Sequence, residues 1–212
     1  MNTRFDVRSG DVDHGTLSLQ MPGRHYALNA LAAAVVAQEL GVAFPSIRQA
    51  LGQFGGIHRR FEVLSELGNI LVVDDYAHHP EEVRATLRAA REGFQRRLVV
   101  AFQPHRFSRT RDLFDDFLTA FDDADLLFLG EIYAAGEERI EGVSGEALAQ
   151  ALRRRGNLDV RFAGSRNALT DAVFAAIRPG DLLLVLGAGD IYKVGEEIVQ
   201  RLRVRAGGLR VV

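Results

Sequence analysis

The chain has 212 residues, of which 47% are hydrophobic and 25% are charged, and its formal net charge is −2. This length and composition predict one large globular domain, or one domain with part of another, and argue against disorder of the whole chain. The charge gives no general attraction to nucleic acid or to an anionic membrane. The absence of cysteine excludes a disulfide framework, a thiolate zinc site and a cysteine nucleophile.

The first sixty residues predict two strands followed by two helices. Residues 3–7 and 16–19 alternate in polarity and are separated by turn-rich sequence, which indicates a hairpin. An alanine-rich helix is predicted over 25–40 and a second helix, opening with proline, over 45–54. Four elements without a parallel sheet around them are too few for an independent core. We therefore expect residues 1–59 to be the last part of a domain.

From residue 60 onward, strands and helices are predicted in alternation. A strand over 61–66 turns back at Gly68 and Asn69 into an apolar strand over 70–73, which indicates a second hairpin. The other predicted elements are helices at 80–92, 110–121, 144–154, 167–177 and 194–202, and strands at 98–102, 126–129, 160–163 and 182–186. Apolar strands alternating with amphipathic helices predict an α/β fold with a mostly parallel, doubly wound, Rossmann-like sheet. Residues 60–212 would form this domain.

Three of these strands end in polar sequence, and in an open parallel sheet ligands bind beyond the carboxyl ends of strands. The first polar stretch is DDYAHHP at 74–80. A carboxylate there suits ribose hydroxyls, whereas the alternative is that the aspartates and His79 only cap the next helix. Asp75, His78 and His79 are also metal-ligand types, but adjacent histidines on an extended chain point to opposite sides. We therefore expect no metal at this stretch.

The second polar stretch is QPHRFSRTR at 103–111, which places three arginines and a histidine around the predicted start of a helix. The helix dipole disfavours cations there, so a bound carboxylate or phosphate would explain them. The alternative is that the arginines extend into solvent or pair with Asp112 and Asp115. The anion site is the favoured interpretation.

The third polar stretch is GAGD at 187–190. The next glycine is Gly195, so the spacing of a dinucleotide-binding fingerprint is not met. A tight glycine turn that lets a ligand approach backbone amides is the better interpretation.

Two further absences restrict the function. Of the 26 Lys and Arg residues, only Lys193 is lysine, and it follows Tyr192. A phosphate-binding P-loop needs Gly-Lys-Ser/Thr, so the chain has no P-loop lysine of its own. No apolar signal segment opens the sequence, and no apolar run reaches the ~20 residues that span a bilayer. We predict a soluble, cytoplasmic protein.

Together the polar stretches resemble the Mur ligases. The resemblance rests on GRH at 23–25 with Asn29 and Ala30, HRRF at 58–61, DDYAHHP at 74–80, FQPHRFSRT at 102–110 and GAGD at 187–190. Their order and spacing match over about residues 20–200, and the FQPHRFSRT stretch points to the alanine-adding branch. The chain departs from the family pattern at Tyr26, where asparagine is common, and at Tyr192, where a small residue is common.

The resemblance implies a three-domain enzyme of peptidoglycan precursor synthesis. Residues 1–59 would be the C-terminal remnant of its central ATP-binding domain, and residues 60–212 its complete C-terminal domain. The implied reaction passes the γ-phosphate of ATP to the carboxylate of UDP-N-acetylmuramate, after which L-alanine displaces phosphate from the acyl phosphate. ATP and Mg²⁺ are the implied cofactors, with most magnesium ligands in the missing part. The implied partners are the two substrates and the missing domains, with no nucleic acid and no membrane.

The resemblance also assigns roles by position. The nucleotide-binding residues would be His25, Asn29, Arg60 and Asp75. The catalytic residues would be Arg60, His78, His105, Arg106 and Arg109. The substrate-binding residues would be Tyr76, His78, His105, Arg106, Arg109, Ala188 and Gly189.

Without a P-loop, this chain alone is expected to be inactive. The alternatives are a non-catalytic nucleotide- or anion-binding module that docks to a partner chain, and a split enzyme whose P-loop comes from a separate chain.

Overall fold

The computed structural model describes residues 2–207, and its N-terminal part is a two-stranded sheet with two helices. Strands β1 (Thr3–Ser9) and β2 (Val12–Leu19) pair antiparallel, as the alternating sequence predicted. Helices α1 (Arg24–Glu39) and α2 (Phe44–Gln53) follow, and both predicted helices are confirmed within one or two residues. A small core joins these four elements through Val7, Leu17, Ala34 and Ile47.

The rest of the chain forms a six-stranded α/β domain. Its elements are β3 (Glu62–Leu67), β4 (Ile70–Asp75), α3 (Pro80–Gly93), β5 (Arg97–Phe102), α4 (Phe107–Asp112), α5 (Phe114–Ala120), β6 (Leu126–Gly130), α6 (Gly145–Arg155), β7 (Asp159–Gly164), α7 (Arg166–Ala176), β8 (Asp181–Leu186) and α8 (Tyr192–Gly207). The strand order is β3-β4-β8-β5-β6-β7, and β3 alone runs antiparallel to its neighbour. The predicted mostly parallel, doubly wound sheet and its opening hairpin are confirmed.

Helices cover both faces of this sheet, which explains why its central strands are apolar at every position. Successive side chains of a strand point to opposite faces, so Leu71 and Val73 of β4 join the core under α3, α5 and α6. Ile70 and Val72 join the second core, under α7 and α8. By the same alternation, Asp74 lies on the face of Ile70 and Val72, and Asp75 lies on the face of Leu71 and Val73. The two carboxylates at the end of β4 therefore leave the strand on opposite faces.

The predicted single helix over 110–121 is wrong. Residues in this stretch form two short helices, α4 and α5, separated by Leu113 with φ −111° and ψ 21°. The first begins early because Phe107 is buried at its start, and Asp115 and Asp116 favour a new helix start in the first turn of α5. Arg109 therefore lies in the last turn of a six-residue helix, where a cation suits the dipole, and not at a helix start.

The strand order brings the three polar stretches together. Strand β8 lies between β4 and β5, and Leu186 at its end pairs with Asp75 on one side and with Phe102 on the other. The residues that follow these three strands therefore emerge side by side at one edge of the sheet. That edge is where an open parallel sheet binds its ligands.

Phe102, fully buried between Phe117 and Phe121, offers a test of this packing. We expect Phe102→Ala to lower the free energy of unfolding by about 3–5 kcal/mol, because it removes a large ring and leaves a cavity. Urea unfolding followed by circular dichroism measures the change. Val204→Ala, at a position that is 76% exposed, is the control and should change stability by at most about 0.5 kcal/mol. A loss below 1 kcal/mol for Phe102→Ala would contradict this arrangement of the core.

Candidate functional site

A cavity of about 720 Å³ lies between α1, α3 and the segment that joins α2 to β3. All four predicted nucleotide-binding residues line it, namely His25, Asn29, Arg60 and Asp75. Most of the remaining wall is apolar, with Leu19, Met21, Ala30, Ala33, Leu51, Phe54, Ile57 and Ala85. Apolar walls with a few convergent polar groups are typical of a small-molecule site, and this cavity is large enough for a heterocyclic base with its sugar.

Asp75 is the buried carboxylate of this cavity, with 1% of its surface exposed. Its Oδ1 accepts a hydrogen bond from the amide of Ala77 at 2.8 Å, and its Oδ2 accepts from the amide of Phe61 at 2.8 Å. The Tyr26 hydroxyl donates to the same Oδ2 at 3.4 Å. Burial raises the pKa of Asp75 to about 6 although these hydrogen bonds oppose the shift. Tyr26, one of the two departures from the family pattern, thus contacts the carboxylate expected to hold the ribose.

The capping interpretation of the DDYAHHP stretch is right for His79 and wrong for the aspartates. The His79 ring accepts from the amide of Glu81 at 3.3 Å, and Glu82 completes a capping box at the start of α3. Glu82 also accepts from the amide of His78 and lies 3.6 Å from the Arg60 guanidinium. Burial alone would raise the pKa of Glu82, but these contacts outweigh it and hold that pKa below its usual value. Arg60 therefore faces the cavity with a carboxylate beside it.

Two histidines and an arginine meet at the end of β5. The rings of His78 and His105 lie 5.6 Å apart between centroids, and His105 stacks on Tyr133 at 5.6 Å. Nη1 of Arg109 lies 3.3 Å from Nδ1 of His105. Burial, followed by His78 and the neighbouring arginines, lowers the pKa of His105 to about 4. Burial also lowers the pKa of His78, so both rings are uncharged at neutral pH.

The arginines of this stretch divide between the two interpretations given above. Arg111 is exposed and pairs with Asp112 at 2.8 Å, so the ion-pair interpretation is right for this residue. Arg106 is half exposed and lies 4.0 Å from Glu137, which also accepts from the amide and hydroxyl of Ser108. Within residues 2–207, Arg109 has no carboxylate within 4 Å. Its positive charge is therefore available to an anion beside the histidines.

The GAGD turn closes this side of the site. Gly187 has φ 148°, and a side chain at Gly189 would collide with Gln103 Oε1 and the Tyr133 ring. Ala188 is half-buried between the two glycines. Asp190 accepts from Gln103 Nε2 at 3.2 Å and pairs with Arg166 at 2.6 Å. The turn thus lies against Tyr133, which brings the predicted Ala188 and Gly189 next to the histidine cluster.

Sequence reasoning missed two residues of this edge. Tyr133 follows β6, which ends in no polar motif, so no local signal marked it. Arg59 was part of the HRRF motif, yet only Arg60 received a role. In the structure Arg59 is buried among Tyr76, Tyr192 and Asp74. Tyr76 itself is 36% exposed at the mouth of the site.

Within residues 2–207, no group of three His, Asp or Glu side chains is placed to hold a metal ion. In the same range, no helix combines the length and apolar character that a membrane span requires.

The family model for the Mur ligase glutamate ligase domain matches residues 59–189. This match covers more than half of the chain, including the end of β4, the histidine cluster and the GAGD turn. The chain therefore belongs to the Mur ligase family.

Its relatives include several proteins named UDP-N-acetylmuramate–L-alanine ligase. The one from Geotalea uraniireducens is 47% identical over 96% of this chain and 48% of its own length. The one from Trichlorobacter lovleyi is 54% identical over 89% of this chain and 41% of its own length. The chain thus spans about half the length of the curated relatives it matches.

A solved structure agrees with this assignment. The UDP-N-acetylmuramate–alanine ligase of Thermotoga maritima superposes with a TM-score of 0.81 at 29% identity, covering 97% of this chain and 45% of that one. The MurF ligase of the same organism, solved in complex with ADP, has a TM-score of 0.70 at 18% identity and covers 97% of this chain and 45% of its own. The second likeness concerns the fold alone.

The raised pKa of Asp75 predicts a pH dependence. Its value of about 6 in the folded protein exceeds the usual 3.8, so the folded state binds an extra proton near pH 5 and gains stability as the pH falls through 6. Relative to Asp75→Asn, which does not titrate, the wild type should gain about 1 kcal/mol of unfolding free energy between pH 7.5 and pH 5. Urea unfolding of both proteins at the two pH values measures this difference. An equal pH dependence in the two proteins would contradict the buried, hard-to-ionise Asp75.

Proposed function

We propose that this chain is the nucleotide-closing part of an ATP-dependent ligase that joins L-alanine to UDP-N-acetylmuramate in peptidoglycan precursor synthesis. The observation that carries the proposal is the cavity lined together by His25, Asn29, Arg60 and Asp75. Residues 1–59 would be the remnant of the central ATP-binding domain and residues 60–212 the C-terminal domain. The names of the two relatives described above, both UDP-N-acetylmuramate–L-alanine ligases, support the choice of substrates.

In this proposal the cavity receives the nucleoside of ATP. The Asn29 amide can donate to and accept from the edge of the adenine, and burial keeps His25 uncharged by lowering its pKa. Asp75 accepts from a ribose hydroxyl beside the Tyr26 hydroxyl. Arg60, at the cavity edge, is placed to meet the phosphates as they leave the apolar part of the site. The Mg²⁺ that accompanies ATP in this reaction would have most of its ligands in the rest of the enzyme, as the family resemblance implies.

The histidine and arginine cluster at the end of β5 would receive the amino acid and the acyl phosphate. The nitrogen of L-alanine forms a bond to the acyl carbon and loses a proton, for which neutral His78 is an acceptor. The bond from the acyl carbon to the phosphate oxygen breaks, and phosphate leaves with the bonding electrons. Arg106 and Arg109 supply positive charge for the alanine carboxylate and for the departing phosphate, since charge that develops in the transition state needs positioned cations. Neutral His78, whose Nδ1 donates to the carbonyl oxygen of Tyr76 at 2.9 Å, can accept a hydrogen bond from the amine at Nε2 without repelling it, whereas Nδ1 of His105 already accepts from Arg109.

Nucleotide binding by this chain is the first test. We expect ADP to bind, and Arg60→Ala and Asn29→Ala each to weaken that binding by about tenfold, the scale of one lost charged or bidentate contact. Isothermal titration calorimetry measures the affinities. Arg111→Ala removes an arginine that is already paired with Asp112 outside the cavity, and it should bind as the wild type does. Binding that is unaffected by both cavity variants would remove the nucleotide from this site and favour the non-catalytic anion-binding module.

Turnover in a protein of the relatives' full length is the second test. Because Arg109 has no carboxylate partner among the described residues and lies against His105, Arg109→Ala should lower kcat/KM for L-alanine by about 10²-fold. Phosphate release that depends on UDP-N-acetylmuramate and L-alanine measures the rate. Arg111→Ala, two residues away in the same helix, should stay within about twofold of the wild type. Equal rates for the two variants would exclude Arg109 from the chemistry.

A further inference from the structure

Arg59 makes more polar and aromatic contacts than any predicted site residue at this edge of the sheet. Its Nε donates to Asp74 Oδ2 at 2.9 Å, and its Nη2 and Nη1 donate to the carbonyl oxygens of Gly187 at 2.5 Å and Gly189 at 3.4 Å. The guanidinium lies between two aromatic rings, 5.0 Å from Tyr76 and 4.9 Å from Tyr192. Only 12% of the side chain is exposed.

These contacts use properties that arginine has and lysine lacks. A planar guanidinium can stack between two rings while its edge donates in three directions, whereas an ammonium is a compact, strongly hydrated charge. Asp74 is 2% exposed, and burial raises its pKa against the opposing effect of Arg59. Among residues 2–207 its Oδ1 has no hydrogen-bond partner, so in this range the hydrogen bond and the ion pair of this carboxylate come from Arg59.

The backbone of Arg59 is held in place as well. Its φ of 58° is in the left-handed region, which is costly for a residue with a side chain. Its amide donates to Glu62 Oε2 at 2.7 Å, and its carbonyl oxygen accepts from the amide of Tyr76 at 2.7 Å. Both ends of the residue are therefore fixed, one on the strand hairpin and the other on the loop after β4.

The turn that Arg59 holds is itself part of the candidate site. Gly189 lies so close to the Tyr133 ring that a side chain there would collide with it, and Tyr133 stacks on His105. The amide of Gly187 donates to the carbonyl oxygen of Asp75 at 3.1 Å, which ties the turn to the end of β4. A displacement of the turn would therefore move Tyr133 and His105.

We propose that Arg59 is a positioning residue that fixes the Gly187–Gly189 turn, and through it Tyr133 and His105, relative to the cavity that Arg60 enters. It acts through the turn and touches no reacting atom. The inference rests on the proposed function only in regarding the histidine cluster as a substrate site. The contacts that support it are independent of any ligand.

A second arginine provides a matched control. Arg97, at the opposite end of the same sheet, binds Asp181 through two nitrogens at 3.0 Å and 2.7 Å, and Nη2 also donates to the carbonyl oxygen of Ala176. Asp181 is 1% exposed, so this pair is as buried on its acidic side as the pair of Arg59 and Asp74. Arg97→Lys thus removes comparable contacts without touching the turn.

The experiment compares Arg59→Lys with Arg97→Lys in the 212-residue chain by NMR, without added ligand. Amide hydrogen exchange is measured at Gly187 and at Asp125, whose amide donates to the carbonyl oxygen of Leu98 near Arg97. The ring chemical shifts of His105 are recorded in the same samples. In Arg59→Lys we expect exchange at Gly187 to be at least tenfold faster and the His105 signals to move, while Asp125 stays within about twofold. Arg97→Lys should leave Gly187 and His105 unchanged.

Two outcomes would overturn the proposal. One is unchanged exchange at Gly187 with unchanged His105 signals in Arg59→Lys, and the other is the same increase in both variants, which would indicate only a general loss of stability. If Arg59→Lys does not fold, Tyr192→Ala takes its place, because it removes one ring of the stack. This variant should increase exchange at Gly187 and move the His105 signals. Unchanged exchange and unchanged signals in Tyr192→Ala would overturn the proposal equally. Since no nucleotide or amino acid is added, failure to bind ADP would count against the proposed function alone.

Discussion

The burial of two adjacent carboxylates at the end of β4 is the constraint on which the rest of this edge depends. Asp74 and Asp75 are 2% and 1% exposed, and the alternation of the strand sends them to opposite faces of the sheet. A buried carboxylate is costly unless it is hydrogen-bonded or paired. Each face meets this requirement in its own way, with a stacked arginine at Asp74 and with two amides and a tyrosine hydroxyl at Asp75.

The two solutions leave the carboxylates in different states. Asp74 has a full positive charge in contact, whereas Asp75 has mainly neutral donors and the more distant charge of Arg60. An acceptor held by neutral donors keeps its affinity for a further hydroxyl at the cavity wall. The same strand end therefore contributes an ion pair on one face and, on the other, a carboxylate with neutral donors at the cavity wall.

The histidine cluster shows a related separation of charge. Burial and neighbouring arginines lower the pKa of His78 and of His105 and keep both rings uncharged, beside the guanidinium groups of Arg106 and Arg109. In the proposed function this arrangement attracts an anion and still offers Nε2 of His78 as a neutral acceptor. A cluster of charged histidines would repel an approaching ammonium group and would not serve an amine substrate.

Sequence patterns predicted most of the fold because local signals agreed with tertiary packing. The apolar run of β8 and the proline at the start of α3 each fixed an element within a residue or two. The division at Leu113 was not predicted, because it depends on the burial of Phe107 and not on a helix-breaking residue. The insertion of β8 between β4 and β5 is likewise a tertiary property that no local pattern encodes.

The candidate site was predictable to the extent that its residues stood in motifs at strand ends. His25, Asn29, Arg60 and Asp75 come from three separate stretches, yet they line one cavity. Tyr133 could not be found in this way, since its place beside His105 depends on the pairing of two loops. The role proposed for Arg59 was hidden for a different reason, because its contacts with the turn are to the backbone carbonyls of Gly187 and Gly189, which leave no trace in the side-chain sequence.

The scarcity of lysine gives this edge an unusual chemical property. Lys193, the single lysine, is exposed, and its ammonium lies 5.8 Å from the Tyr192 ring. Arg59, which contacts the Gly187–Gly189 turn, packs on the same ring. In this 212-residue sequence Lys193 is therefore the one side chain that an amine-reactive dye modifies, and it lies next to the turn. A dye attached to Lys193 would report movements at the mouth of the site.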